Sequence, residues 1–364
     1  MKAVFDLKEA MDKKMISTNR KVVTFGEVML RLTAPDFRRF SQTNEFIATY
    51  GGSEANVAVS LANFGIPTEF VTRLPDNAMA QACIASLHAN GLGTEGIVFG
   101  GKRMGLYFLE SGASFRNSNV VYDREGSSFA TLRPGMIDWE KIFADADWFH
   151  WSGIAASLSQ EGADACLEAL QTADRMGLTI SCDLNVRKKL WNYGRSVADV
   201  MLPLVQYSDV IFGAEPEYKE VFDIAPVGFQ AVDTAYPLDL KGFETFGQKI
   251  SHIVPRCRKV FLELRNTITS NHNLLAAVLY SDQTLKYTGI YDITHEVDRV
   301  GTGDAFVGGM IYGLLTYPDN DQKALEFALA ASALKNTVYG DFNQVTVEEV
   351  ESLMKGNTSG RVTR

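Results

Sequence analysis

The spacing of apolar and polar residues along the chain predicts alternating strands and helices. Before Pro134 it predicts strands at 21–30, 68–74, 104–111 and 118–125, and helices at 51–65 and 77–93. After Pro134 the alternation is more regular, with strands at 147–153, 178–185, 209–214 and 259–265 and helices at 162–176 and 196–206. This order is typical of a parallel sheet flanked by helices, so we expect an α/β fold.

The last third of the chain adds a hairpin and two helices. The hairpin is predicted from 276–281 and 284–290, one helix starts near Asp304, and a helix of small residues covers 324–340. The segment 224–245 has no clear periodicity and reads as an inserted loop. We expect residues 1–20 to be an N-terminal extension and 21–364 to form a single domain, because no linker divides them.

Composition narrows the class of protein. The chain has 364 residues and a formal net charge of -9, which argues against a nucleic-acid or anionic-membrane binder because both need basic surface. No uncharged apolar run approaches the roughly 20 residues of a membrane span, and charges interrupt the N-terminus where a signal peptide would be apolar. The four cysteines are scattered without CxxC spacing. We therefore expect a cytoplasmic protein with reduced thiols.

Two glycine motifs need different interpretations. Residues 91–96 spell GxGxxG, but a helix precedes them and no helix follows, so we interpret them as a helix-ending turn rather than a dinucleotide site. Gly301-Thr302-Gly303-Asp304 instead follows an extended segment and opens a helix. Glycines and free N–H groups at a helix start suit a phosphate, and Asp304 would face it as a base. An ordinary helix-starting turn explains this motif alone equally well.

The two ends of the chain together resemble a known family. GGSEANVAVSLANFG (51–65) and DRVGTGDAFVGG (298–309) are similar, in order and separation, to the two signatures of ribokinase-like (PfkB) sugar kinases. The resemblance implies an α/β/α sandwich with a mostly parallel central sheet and a small β-sheet lid, with lid strands from about 27–50 and 104–125. It also implies ATP as donor, Mg²⁺ as cofactor and Asp304 as the base. The backbone of Gly301, Thr302 and Gly303 would form the anion hole.

Within that family, the middle of the chain is most similar to 2-keto-3-deoxygluconate kinases. The similar pieces are GLYF (105–108), VVYDREGS (120–127) and DLNVRKKLW (183–191). The resemblance implies an acidic sugar held by Gly52, Asn56, Tyr107, Tyr122, Arg124, Arg187 and Asp341. The guanidinium groups of Arg124 and Arg187 suit a carboxylate or phosphate, whereas a fructokinase pocket has no such need.

Further assignments follow from the same resemblance. Asn185 and Arg265 fall on the nucleotide side, and Glu215 and Glu217 resemble acidic residues that hold Mg²⁺ through water. Asp298 is placed beside an optional monovalent cation. The chain departs from the family in having Ala214 where an asparagine is usual and no lysine-glycine turn after 265. We also expect a homo-oligomer formed through the lid, because open sheet edges favour association.

Three functions remain open at this point. The first is an ATP-dependent kinase for the terminal hydroxyl of 2-keto-3-deoxygluconate. The second keeps the fold but changes the substrate to fructose or another neutral sugar. The third is a non-catalytic sugar- or nucleotide-binding relative, which the departures at Ala214 and after Arg265 motivate and the intact 301–304 motif opposes.

Overall fold

The computed structural model describes residues 20–360, so all but the last residue of the predicted extension over 1–20 lies outside the described part of the chain. The strands are, in chain order, β1 (Lys21–Phe25), β2 (Met29–Thr33), β3 (Ile47–Gly51), β4 (Thr68–Leu74), β5 (Ile97–Phe99), β6 (Gly105–Glu110), β7 (Asn119–Asp123), β8 (Ala146–Ser152), β9 (Thr179–Asp183), β10 (Val210–Phe212), β11 (Lys259–Thr269), β12 (His272–Ser281), β13 (Thr284–Tyr287) and β14 (Tyr291–Ile293).

The helices alternate with the strands. They are α1 (Ser53–Asn63), α2 (Ala78–Ala89), α3 (Trp139–Phe143), α4 (Gly153–Ser157), α5 (Gln160–Arg175), α6 (Val197–Val205), α7 (Glu215–Phe222), α8 (Leu240–Ile253), α9 (Thr302–Thr316), α10 (Asp321–Lys335) and α11 (Val347–Met354). Short 3₁₀ turns lie at Pro35–Phe37, Phe40–Gln42, Phe129–Thr131 and Lys188–Leu190. Within residues 20–360, no helix has the length and apolar character that crossing a bilayer would require.

A large sheet and a small sheet organise these elements. The large sheet has the order β13-β12-β11-β10-β9-β8-β1-β4-β5, with β14 paired to β12. It is parallel from β5 to β11 and antiparallel beyond β11, so the predicted hairpin is confirmed. Alternate residues of β1 face opposite sides, Val23 toward α3–α8 and Val22 toward α1 and α9–α11. The fold class is therefore confirmed as an α/β/α sandwich with a smaller second sheet.

The small sheet, which we call the lid, has the order β3-β2-β6-β7. Its strands come from the ranges expected for it, 27–50 and 104–125, extended by one residue to Gly51. The prediction of one strand over 21–30 is wrong. The chain leaves the large sheet after Phe25, turns through Gly26–Val28 and enters the lid as β2. The two strands have similar apolar character, so the break is marked only by Gly26 and Glu27, which the prediction read as part of one strand.

Two other boundaries differ from the prediction. The expected loop over 224–245 is irregular only up to residue 239, and α8 then begins at Leu240, where the side chain of Asp239 accepts a hydrogen bond from Gly242 N at 3.0 Å. An aspartate in this capping position is a helix-start signal that the apolar periodicity did not reveal. The helix expected over 324–340 runs instead from Asp321 to Lys335.

A buried carboxyl group fixes the start of α1 to the sheet. Glu54 in the first turn of α1 is almost fully buried and accepts a hydrogen bond from Ser152 Oγ at the end of β8. Burial raises the pKa of Glu54 to about 7, although the bond from Ser152 acts in the opposite direction. An ionised Glu54 is therefore a cost to the folded state near neutral pH.

We expect Glu54→Gln to flatten the dependence of stability on pH. Between pH 4.5 and about 7 the native carboxyl keeps a proton that the unfolded chain has lost, so the free energy of unfolding falls as pH rises through this window. Glutamine has no such proton, so the free energy of unfolding of the variant should not fall in this window. From pH 5 to pH 8, the difference in free energy of unfolding between variant and wild type should therefore shift in favour of the variant by up to about 3 kcal/mol. Urea unfolding from pH 5 to 8 measures this, with the exposed Glu348→Gln as control. Parallel curves for Glu54→Gln and wild type would contradict it.

Helices α9 and α10 pack through small residues. A Cβ atom added at Gly313 would lie 2.7 Å from both Cα and Cβ of Ala324, and one at Gly309 would lie 3.0 Å from Cα of Ala328. The two backbones thus approach more closely than any larger side chain permits. This contact determines where α9, the helix that carries Asp304, lies on the sheet.

We expect Gly313→Ala to destabilise the protein by roughly 1–2 kcal/mol, since overpacking against backbone outweighs the gain in helix propensity. Gly289→Ala is the matched control, because nothing lies within 4 Å of its added Cβ. Urea unfolding at neutral pH compares the two variants. A Gly313→Ala protein as stable as wild type would show that the helices can separate without cost.

Candidate active site

A cavity of about 620 Å³ lies between the lid and the carboxyl ends of the parallel strands. The ends of β1, β9 and β10 meet at this edge of the sheet and contribute Glu27, Asp183 and Gly213 to the wall. With two exceptions, every residue assigned to the site from the sequence lines this cavity: Gly52, Asn56, Tyr107, Tyr122, Arg124, Asn185, Arg187, Glu217, Arg265, Gly301, Thr302, Gly303, Asp304 and Asp341. The exceptions are Glu215, which is exposed at the first turn of α7, and Asp298, which is buried outside the wall.

The 301–304 motif opens α9 at the floor of the cavity. Gly301 precedes the helix with φ 83°, a left-handed conformation that favours glycine. A Cβ atom at Gly301 would also lie 2.1 Å from the carbonyl oxygen of Asp341, so this position has no room for a side chain. The first N–H groups of α9 have no partners within the helix, and Thr302 N makes only a long bond of 3.4 Å to the carbonyl of Arg299. Because residues 301–304 line the cavity, this turn is a suitable anion site.

Asp304 is held by donors from the first turn of α1. Asn56 Nδ2 donates to one carboxylate oxygen at 2.6 Å and Ser53 Oγ donates to the other at 2.8 Å. Asn185 Nδ2 in turn donates to Ser53 Oγ at 2.9 Å. Burial raises the pKa of Asp304, while the bonds from Asn56 and Ser53 counteract that rise. The result is an oriented carboxylate with greater basicity than an exposed aspartate.

A second acidic group lies beside the first. Burial raises the pKa of Asp183 well above its ordinary value, and the charges of Glu217 and Asp304 raise it further. Burial also raises the pKa of Glu217, whose Oε2 accepts from Ala214 N at 2.7 Å at the start of α7. The Arg187 charge favours the ionised form of all three carboxyl groups. Within residues 20–360, no cluster of three or more acidic, histidine or cysteine side chains is arranged to hold a metal directly.

Arg265, which was predicted to lie on the nucleotide side, contacts the turn at 301–304. Arg265 Nη2 donates to Thr302 Oγ1 at 2.6 Å, and Thr302 Oγ1 donates to the carbonyl of Arg299 at 3.0 Å. Burial and the nearby charge of Arg265 lower the pKa of Arg299, which also lines the cavity. Two arginines therefore lie near the turn, and Glu263, 3.4 Å from Arg265 Nη2, partly offsets their charge.

The three lid residues predicted to bind the sugar, Arg124, Tyr122 and Tyr107, differ in their exposure and in their hydrogen-bond partners. Arg124 is buried, and its Nε donates to Glu27 Oε2 at 2.8 Å while Nη2 pairs with the same oxygen. Tyr122 is 44% exposed, so its ring is available to a ligand. Tyr107 is buried, and its hydroxyl donates to Asp341 Oδ2 at 2.6 Å. Two of the guanidinium nitrogens of Arg124 are thus already engaged by Glu27.

One arginine joins the lid to the loops around the anion-binding turn. Arg31 on β2 donates from Nη2 to Asp298 at 2.5 Å and from Nη1 to Asp341 at 2.7 Å, and all three side chains are buried. Asp298, expected beside a monovalent cation, thus has a protein cation as its partner. Asp341 connects Arg31 and Tyr107 to the cavity wall.

Sequence reasoning missed several residues of the site. Glu27, Arg31, Ser53 and Asp183 received no role, although they bond or adjoin residues that did. Ser53 lies in the first glycine motif and Asp183 in the DxN segment, so both could have been identified there. Nothing local marks Arg31, because its partners lie some 270 and 310 residues later in the chain.

Known proteins resemble the chain over most of its length. The model of the pfkB family of carbohydrate kinases matches residues 19–235 and 273–346. A 2-dehydro-3-deoxygalactonokinase of Haloferax volcanii is 31% identical, covering 93% of this chain and 98% of the relative, and Fructokinase-1 of Oryza sativa is 27% identical, covering 94% and 99%.

A solved structure agrees with these relatives. The crystal structure of 2-dehydro-3-deoxygluconokinase from Thermotoga maritima is 40% identical, with a TM-score of 0.85, and the match covers 93% of this chain and all of that one. The two sequence signatures and the sandwich with its smaller second sheet agree with this similarity. The chain belongs to the pfkB family of carbohydrate kinases.

Proposed function

We propose that this enzyme transfers the γ-phosphoryl group of ATP to the terminal hydroxyl of 2-keto-3-deoxygluconate, giving 2-keto-3-deoxy-6-phosphogluconate and ADP. The observation that carries the proposal is the position of Asp304. Its carboxylate lies at the start of α9, between the anion-binding turn and the lid side of the cavity, and is oriented by Asn56 and Ser53.

In this proposal Asp304 is the general base. The sugar hydroxyl oxygen attacks the γ-phosphorus, the bond from phosphorus to the ADP oxygen breaks, and the hydroxyl proton passes to Asp304. Burial raises the pKa of Asp304, which makes it a better acceptor for this proton. The N–H groups of 301–303 stabilise the negative charge of the transferred group.

The phosphate side of the cavity has the cations that ATP needs. Arg265 contacts Thr302 of the turn, and Arg299 lies in the same wall. Arg187 is exposed on the loop after β9, and its charge acts on Asp183, Glu217 and Asp304 together. We assign Arg187 to the phosphoryl group during transfer rather than to the sugar, because it lies among these three carboxyl groups.

The donor set also fits Mg²⁺. Asp183 and Glu217 are oxygen donors whose mutual repulsion raises the pKa of Asp183, and a divalent cation between them and the phosphates would relieve that repulsion. Because the described residues form no ready-made group of three or more metal ligands, water and phosphate oxygens would complete the coordination of a cation held by these two carboxylates. Bound Mg²⁺ would neutralise charge on the phosphates.

An acidic sugar is the substrate best supported by the relatives and by the lid. The two sugar-acid kinases are 31% and 40% identical to this chain, and the fructokinase is 27% identical. Arg124 and Tyr122 are close enough for the guanidinium carbon to lie 5.8 Å from the ring centroid. We assign the sugar carboxylate to this pair. Pairing with Glu27 holds the Arg124 guanidinium in position for the sugar carboxylate. The same pairing offsets the charge of Arg124, and that effect alone would suit a neutral sugar.

The assembly and location of the enzyme are also proposed. The lid has two open edge strands, β3 and β7, which expose Ile47 and Val121. A second copy of the chain would cover these edges, so we propose a homo-oligomer formed through the lid. The use of ATP and four buried, unpaired cysteines support a cytoplasmic location.

We expect Asp304→Asn to lower kcat by roughly 10²–10⁴-fold, the usual contribution of a general base. The asparagine oxygen can still accept from Asn56, so binding of the sugar and the fold should persist. Coupled ADP formation measures turnover, and calorimetry with the sugar measures binding. Asp199→Asn is the control, because Asp199 is also in the first turn of a helix but is exposed. Turnover equal to wild type would exclude Asp304 as the base.

We expect wild-type kcat/KM for 2-keto-3-deoxygluconate to exceed that for fructose and ribose by about 10–150-fold, the effect of one hydrogen bond to a charged group worth roughly 1.5–3 kcal/mol. The double variant Glu27→Gln with Arg124→Gln should remove most of this preference without leaving an unpaired buried charge. Turnover of the epimer 2-keto-3-deoxygalactonate should be measured together with that of these sugars.

Arg124→Gln alone is the control for the double variant, since it isolates the cost of leaving Glu27 buried without its partner. Equal turnover of fructose by the wild type would overturn the sugar-acid assignment while leaving the kinase intact. An unchanged preference in the double variant would move the sugar carboxylate away from Arg124.

A further inference from the structure

Lys335 is a buried cation with no role in the site described so far. It is the last residue of α10, its side chain is fully buried, and it is absent from the cavity wall. Its Nζ donates to the carbonyl oxygen of Val338 at 3.1 Å and to that of Asp298 at 3.4 Å. A lysine ammonium is costly to bury unless its charge and its three donors have partners. The surroundings of Lys335 therefore have to supply both.

The charges around Lys335 are balanced. Two buried carboxylates, Asp298 and Asp341, favour its charged form, and two buried cations, Lys335 and Arg31, face them. Burial itself acts in the opposite direction and lowers the pKa of Lys335. The Asp298 carboxylate also accepts from Val300 N and Gly340 N, each at 3.1 Å. Asp304 also favours the charged form of Lys335, but its carboxylate is bonded by Ser53 and Asn56 and belongs to the cavity. Among Asp298, Asp341, Arg31 and Lys335, the formal charges sum to zero.

The location of Lys335 connects it to the anion-binding turn. Asp298 begins the loop that leads to Gly301, and Val338 lies in the segment 336–341 that follows α10. The two segments are in direct contact, since Val297 N donates to the carbonyl of Asn336 at 2.8 Å and Gly301 packs on the carbonyl of Asp341. Lys335 bonds one carbonyl in each segment, so it joins the approach to the turn with the surface that supports Gly301.

The residues around Asp298 do not fit an exchangeable monovalent cation. Main-chain carbonyl oxygens and carboxylates are the ligands that K⁺ takes in proteins. Here the Asp298 carbonyl is bonded by Lys335 and its carboxylate by Arg31 and two backbone amides. We propose that the Lys335 ammonium is a built-in replacement for such an ion, so that the anion-binding turn keeps its geometry, and the enzyme its activity, without K⁺.

The inference rests on the proposed kinase reaction where turnover is measured. The test therefore also measures Tm, which needs no substrate. Wild-type kcat, KM for ATP and Tm of the ligand-free protein are measured in choline, sodium and potassium chloride at equal ionic strength. All three quantities should be the same in each salt. Activation by K⁺ of about tenfold or more, or a Tm that rises only in K⁺, would overturn the proposal.

Variants at Lys335 test whether an added cation can replace the missing ammonium group. Lys335→Ala leaves space and unbonded carbonyls, so kcat should fall by roughly 10–100-fold, the scale of a small misplacement of catalytic groups. Its Tm should fall and then rise with added K⁺ or methylammonium, together with kcat. Lys335→Met fills the space with an apolar chain, and neither cation should restore it.

Lys323→Met on the same helix is the control, because Lys323 packs on the ring of Tyr317, 3.8 Å from its centroid, and makes no contact with the 298–301 loop. It should keep wild-type kcat, and any fall in Tm from the lost Tyr317 contact should be the same in every salt. A Lys335→Ala enzyme with wild-type kcat would overturn the proposal. If no sugar is turned over by the wild type, the proposed reaction fails, and the Tm series still decides the role of Lys335.

Discussion

The two ion pairs of the Arg31 guanidinium join the lid to the rest of the active site. The guanidinium is a buried charge on the lid whose two partners, Asp298 and Asp341, lie on segments that flank the anion-binding turn. A buried ion pair is rarely a large source of net stability, but removing one partner leaves an uncompensated charge. The pairing therefore specifies one position of the lid more strongly than apolar contact would. Tyr107 adds a second bond from the lid to the same Asp341.

With the lid held there, the cavity has two chemically different ends. Toward β9 and α7, the acidic groups Asp183 and Glu217 face Arg187 and the turn at 301–303, a setting suited to a metal and phosphates. Toward the lid, Tyr122 and the Arg124–Glu27 pair provide an amphipathic surface suited to a small sugar. Asp304 lies between the two ends, where a hydroxyl and a phosphoryl group would meet.

Much of this arrangement could be predicted from the sequence, for reasons specific to each part. The parallel sheet follows from regular apolar alternation after Pro134, and the turn at 301–304 follows from the chemistry of glycine and aspartate at a helix start. The break between β1 and β2 was missed because only Gly26 and Glu27 interrupt two strands of similar apolar character. Arg31 and Lys335 were missed because an isolated basic residue in a sequence is ordinarily exposed, and only their distant partners show otherwise. The pairing of Arg124 with Glu27 could not be predicted for the same reason, because it depends on how the lid folds back.

The small-residue contact between α9 and α10 has a mechanical consequence. Helices whose backbones touch at Gly309 and Gly313 cannot slide past each other, since any shift brings a Cα or Cβ atom into backbone. The two helices therefore act as one rigid unit, with Asp304, the proposed base, in the first turn of α9. The lid is joined to the loops beside these helices by Arg31 and Tyr107, which bond Asp298 and Asp341. Any movement of the lid would have to break these buried bonds, whereas the helix pair would keep Asp304 in place.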